Sequence, residues 1–169
     1  VIDRKPPCEE TSFGNAGVIS PWSCVPQSVP GLWRRIPRWL IDPEGPVFVR
    51  ARHAPAFLPW ALKFLSAGRL DSIDALGDAM MALSRNSPSN YRALLQNTPA
   101  LDLVTDSFYV FVYRHAAQAN LDQLAWRMRQ RRDVPVSLIE AGELREREPH
   151  ISHDYEAAIL IHGQGRALN

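Results

Sequence analysis

An acidic residue that directly follows an apolar strand end offers a carboxylate to hydroxyl groups. Val1-Ile2-Asp3-Arg4-Lys5 has that form. It reads as the end of a buried parallel strand that finishes in charge and is stopped by Pro6-Pro7. In a dinucleotide-binding βαβ unit, a carboxylate at the end of the second strand accepts hydrogen bonds from the adenosine ribose. Asp3 is placed for that work, although many strands finish in Asp or Glu. Further along, Gly14-Asn15-Ala16-Gly17 sets two glycines around a short polar step. Such a turn lets backbone amides approach a ligand that a Cβ would block; an ordinary Gly/Asn turn has the same composition. The third feature is the run 108–113. Strand alternation puts Tyr109, Phe111 and Tyr113 on one face and Phe108, Val110 and Val112 on the other, and the three odd-numbered aromatics read first as core.

Other chemistries find no support. Cys8 and Cys24 have neither CxxC spacing nor a neighbouring His cluster, so they read as free thiols in a reducing compartment. His115, His150, His153 and His162 make no metal spacing, and no Ser/His/Asp or Cys/His arrangement stands out. Gly163-Gln164-Gly165 resembles the start of a nucleotide fingerprint, but Leu168 occupies the third glycine position. Arg127, Arg129, Arg131 and Arg132 read as a solvated helix face.

The elements that must position these groups follow from composition and period. The 169 residues are 46% apolar and 22% charged, with a formal net charge of +1. That is the balance of a soluble globular domain, with no whole-chain field to attract nucleic acid. No apolar run approaches the roughly 20 residues of a membrane span, and no stretch of the sequence reads as a signal peptide. Both point to the cytoplasm, with the Trp and Arg mixture at 33–39 a candidate for peripheral contact with the inner membrane. Residues 9–30 read as loop. Residues 31–55 read as a short helical turn, a tight turn at Asp42-Pro43-Glu44-Gly45-Pro46 and a brief extended piece. A helix should bury Phe57, Leu58, Ala61, Leu62 and Leu65 and end at Gly68. A second, capped by Asp71 or Ser72, should bury Ile73, Leu76, Met80 and Leu83. A third starts at Ser87-Pro88, buries Tyr91, Leu94 and Leu95, and closes at Thr98-Pro99. Then come a strand at 108–113, a helix capped by Asn120 with Leu121, Leu124, Ala125 and Met128 inward, and a strand at 136–139. A charged helical turn at 141–148 and a last strand at 157–161 complete the chain. The expected class is α+β: a helical segment followed by a small, mainly antiparallel sheet with packed helices.

Taken together, Val1-Ile2-Asp3-Arg4 and Glu10-Thr11-Ser12-Phe13-Gly14-Asn15-Ala16-Gly17-Val18-Ile19-Ser20 closely resemble the FAD-dependent D-amino-acid dehydrogenases and glycine or sarcosine oxidases. Pro30-Gly31-Leu32, Pro37-Arg38-Trp39-Leu40 and the 42–46 turn resemble the linker of the bacterial dehydrogenase branch. The helices, the 108–113 strand and Glu148-Pro149 follow the family's order.

The resemblance implies that residues 1–20 belong to an FAD-binding domain and 21–169 to an incomplete substrate-binding domain. Asp3 would hold the adenosine ribose and Arg4 the adenine side. Ser12, Asn15, Ala16 and Gly17 would approach the pyrophosphate or ring system. A sheet of the substrate domain would roof the flavin, so Tyr109 and Tyr113 become candidate contacts for a substrate carboxylate. Phe108, Tyr109 and Arg147 depart from the family's usual small or apolar residues. The implied reaction passes a hydride from the amine-bearing carbon of a D-amino acid or related amine to FAD. The family's glycine-rich turn would precede Val1 and its C-terminal half would follow Asn169. This chain alone is therefore expected not to retain FAD or catalyse, and its uncovered edges favour self-association. The rival reading is a stand-alone protein-interaction or regulatory domain; an inactive homologue with the same fold is a third.

Overall fold

The structure, a computed structural model, describes residues 4–6, 9, 10 and 13–168. Asp3, Cys8 and Ser12 lie outside the described residues, as does most of the expected first strand; Arg4, Lys5 and Pro6 are exposed bends. The chain forms two compact bodies. One comprises Val1–Trp22 with Ser84–Asn169, the other Ser23–Leu83.

The first body is built on an antiparallel sheet. Strand β1 covers Val18–Ile19, β2 Val104–Tyr113, β3 Val136–Glu140 and β4 Ala157–Ala167. β4 pairs with β2 along one edge, and with β3 and then β1 along the other. As the central strand, its first half reads as a continuous apolar run: Ala158, Ile159 and Leu160 are fully buried. The fold is α+β, as expected, with a small open sheet of four strands.

Alternation sorts the sheet into two faces. Val110, Val112 and Phe108 pack with Ala158, Leu160 and Ile139 against Leu144 of helix α6 (Ala141–Arg147). Burying each large aliphatic side chain contributes about 1.5–3 kcal/mol, so this layer is a substantial part of the body's core. At the other end of the sheet, Arg92 of α4 (Ser87–Leu95) reaches Asp106 of β2 at 2.7 Å.

Several expected faces were different. α4 begins with Pro88 in its first turn, as anticipated, but buries none of its residues; Leu94 is among the most exposed apolar side chains. Asn120 does not cap a helix. Its Oδ1 accepts the Asp122 amide in a local turn, and helix α5 starts later, at Leu124–Gln130, with Trp126 and Met128 buried. The 3.6-residue period fixes which residues share a helix face but not which face meets the sheet.

The Gly163-Gln164-Gly165 step lies inside β4, where one extra residue shifts the register between Tyr109 and Ser107. Gly163 supplies the positive φ of +70° that this bulge requires, and the Trp22 ring packs over it. The glycines serve strand curvature, not a phosphate loop.

In the second body, short 3-10 turns at Leu32–Arg34 and Ala51–His53 flank helix α1, Ile36–Ile41. Helix α2 spans Ala54–Ala67 and α3 Ile73–Ser84, whose last residue belongs to the first body. The stripe expected to be buried on α2 is not: none of its residues is buried. On α3 the buried positions are Ile73, Gly77 and Met81, while Leu83 is 88% exposed. Gly68 does end α2, with φ of −83° rather than a left-handed cap; a Cβ there would collide with Ser28.

Candidate functional site

Two surfaces of the first body hold the residues singled out from sequence. The first is the loop leading into β1. Asn15 Oδ1 accepts the Gly17 amide at 2.7 Å, and Gly17 O accepts the Ala167 amide at 2.7 Å. Gly17 has φ +66°, and a Cβ there would stand 2.6 Å from the Ala167 carbonyl oxygen. Its glycine identity is thus required by the close approach of β4. Gly14 is different. With φ +70° it has nothing within 4 Å of a built Cβ, and Phe13, Asn15 and Ala16 beside it are exposed. The loop presents an exposed stretch of backbone to solvent that is free of a Cβ at Gly14. Arg4 is 87% exposed and lies 3.8 Å from Glu10, which also meets Lys5 at 3.7 Å.

The second surface is the face of β2 opposite the core. Tyr109 and Phe111 are 38% and 39% exposed, their ring centroids 6.3 Å apart. The core reading of these two aromatics does not hold, because the α6 core takes the even-numbered residues of the strand. Phe111 meets Trp126 edge to face at 5.1 Å. The Trp126 indole N–H donates to the Tyr113 hydroxyl at 3.2 Å, leaving that hydroxyl its own proton to donate. Tyr109 and Tyr113 are therefore brought to one face, but in different states: Tyr113 is tied to α5, and the Tyr109 hydroxyl has no protein partner among the described residues.

Sequence reasoning missed Trp126 and Arg129 on this face. The Arg129 guanidinium lies 4.7 Å from the Trp126 ring and 5.8 Å from the Phe111 ring, and donates to the Ala125 carbonyl at 3.1 Å. It belongs to the arginine cluster assigned to a solvated face, yet it folds back over the aromatics. The three-residue spacing of Trp126 and Arg129 was the available signal, since such pairs stack on one side of a helix. The outcome is a half-exposed aromatic face carrying a phenol at one end and a cation at the other.

Among the described residues no group of His, Cys, Asp and Glu could hold a metal ion, and no helix is long and apolar enough to cross a membrane.

The family of FAD dependent oxidoreductases designated DAO matches residues 1–169. A D-amino-acid oxidase of Bradyrhizobium diazoefficiens is 29% identical over 160 residues, 94% of this chain and 38% of that protein. A D-amino acid dehydrogenase of Phenylobacterium zucineum is 33% identical over 152 residues, 89% of this chain and 35% of its own length. A D-amino acid dehydrogenase of Rhodopseudomonas palustris is 44% identical over 66 residues, 38% of this chain and 16% of its own. The chain thus spans less than two-fifths of the curated relatives it matches. No solved structure matches it. With the family matching from the first residue to the last, the chain belongs to the DAO family of FAD-dependent oxidoreductases.

Proposed function

We propose that this chain forms the substrate-side portion of an enzyme that oxidises the C–N bond of a D-amino acid or a related amine. The observation that carries the reading is the half-exposed face of β2, with the Tyr109 hydroxyl and the Arg129 guanidinium flanking Phe111. A carboxylate takes charge-assisted hydrogen bonds from a guanidinium and a phenol, and the aromatic floor between them suits an aliphatic side chain.

The residues present fit FAD along one strip. At Gly14 no Cβ stands between a flat ring and the backbone, and exposed Asn15 and Ala16 continue that strip. These, with Arg4 and with Asp3, Ser12 and Gly17 as the family resemblance implies, would hold the cofactor. FAD, when bound, supplies the hydride acceptor. The chain's own residues would orient the amine-bearing carbon and keep water from it. The sequence contains no G-x-G-x-x-G turn, the element that seats a dinucleotide pyrophosphate on a helix N-terminus. The 169-residue chain purified alone is therefore expected to be colourless and inactive; a stoichiometric flavin spectrum would overturn this.

The function is tested on the longer protein that carries this chain, by following dye reduction with D-amino acids, glycine and sarcosine. Turnover of at least one of them is expected. Arg129→Leu and Tyr109→Phe should raise KM for carboxylate-bearing substrates roughly ten- to a hundredfold, the worth of a hydrogen bond to a charged group. Amines lacking a carboxylate should be unaffected. A flavin-loaded protein that oxidises none of these substrates refutes the proposal.

A further inference from the structure

The bulge in β4 stands beside Tyr109, and on one side it lacks a strand. β3 pairs with β4 up to Ile161 and β1 takes over at Gly165. Among the described residues, no strand lies against His162, Gly163 and Gln164 on that side. A half-buried backbone group left there without a hydrogen bond would be costly. The register of β1 sets Ile19 opposite Gly165, and carried three residues further it would bring Trp22 opposite His162. The ladder stops short of that point. Pro21 has no amide to donate, and the Trp22 amide turns to Ser20 Oγ at 3.3 Å.

The Trp22 side chain takes the place of the missing strand. Its indole N–H donates to the His162 carbonyl at 2.7 Å. Its ring lies over Gly163, where a Cβ would come within 3.3 Å of the indole nitrogen. Two further contacts close on His162: its amide donates to the Pro135 carbonyl at 2.9 Å, and its Nε2 lies 2.8 Å from Ser137 Oγ. The loop that carries Trp22 is fixed in turn by Ser84, whose hydroxyl donates to the Pro21 carbonyl at 3.0 Å.

A bulge bends its strand and sharpens the local twist, and so re-aims the side chains next to it. Tyr109 pairs with Ile161 immediately before the bulge, and Ser107 pairs with Gln164 immediately after it. A slip of one residue would turn the β4 side chains beyond it to the opposite face. The place of the Tyr109 hydroxyl relative to Arg129 therefore depends on where the bulge is held.

We infer that Trp22 is a positioning residue, which locks the β4 bulge through the His162 carbonyl and thereby fixes the Tyr109 hydroxyl. Its consequence for substrate rests on the function proposed above for the β2 face; its consequence for the sheet does not.

Trp22→Phe keeps a ring over Gly163 and removes the donor, and it is tested first by NMR on the 169-residue chain. The His162 amide should exchange about tenfold faster, the worth of one hydrogen bond between neutral groups. The ring contact of Tyr109 with Phe111, centroids 6.3 Å apart in the parent, should weaken. An unchanged ring contact overturns the inference, whatever the exchange rate. In the longer protein that carries this chain, Trp22→Phe should raise KM for carboxylate-bearing substrates by up to the roughly ten- to hundredfold expected of Tyr109→Phe. It should add nothing once Tyr109 is already Phe, since the two residues act on one contact. An equal loss in both backgrounds would mark a general scaffold effect and overturns the inference. If Tyr109→Phe leaves KM unchanged, the proposed function of the β2 face fails instead, and the ring contact alone decides on Trp22. Where Trp22→Phe loses the parent's far-ultraviolet dichroism, the parent's own Trp22 indole proton decides: slow exchange with solvent is expected, and exchange as fast as in free indole overturns the lock.

Discussion

Gln164 offers a direct test of how the sheet tolerates a buried polar group. It is 2% exposed in the central strand, and among the described residues neither its amide oxygen nor its amide nitrogen has a hydrogen-bond partner. Ser107 is its cross-strand neighbour, two residues from Tyr109, so the amide lies on the Tyr109 face of the sheet. An unsatisfied buried polar group costs about 1–3 kcal/mol, whereas an apolar isostere removes that cost. Gln164→Met retains an unbranched chain of similar volume and deletes both orphaned atoms. The expected result is a gain of about 1–3 kcal/mol, at the low end where ordered water already satisfies part of the amide. For a chain of this size each kcal/mol moves Tm by about 2–4 °C. Urea unfolding followed by far-ultraviolet dichroism measures it as a rise in midpoint at constant slope. Gln164→Glu is the control: an uncompensated charge in the same place should destabilise strongly. If Gln164→Met instead loses more than about 1 kcal/mol, the amide is firmly hydrogen-bonded in solution and the reasoning is refuted.

Two further substitutions probe the scaffold. Gly17→Ala imposes a Cβ on a residue with φ +66° and only 2.6 Å from the Ala167 carbonyl oxygen, so the β1–β4 pairing should loosen; faster amide exchange at Ala167 than at Ile159 would report it, and unchanged exchange would contradict it. Leu160→Ala removes a fully buried side chain between Val110 and the α6 core. It should cost about 2–5 kcal/mol, read as a lowered urea midpoint, and a loss below about 1 kcal/mol would mean that the layer is not close-packed.

What could be read from residues alone was whatever depends on local pattern. The aromatic and β-branched run at 108–113 announced a strand, and Ser87-Pro88 placed a helix start at the observed residue. The antiparallel α+β class followed from the order of such signals. Asp3 and Ser12 were legible as candidates and lie outside the described residues. Tertiary structure decided which sides of those elements are covered, because a period of 3.6 or 2 names a face without naming its partner. α2 carries an apolar pattern that promised burial, yet its body leaves every one of its residues at least partly exposed. Phe111 looked like core until β2 turned its even-numbered side chains toward α6. Arg129 looked solvated until α5 laid it over Trp126 and Phe111. Side-chain identity and spacing act through neighbours a few residues away, whereas burial and the company of a charge depend on segments dozens of residues apart, which only the folded chain brings together.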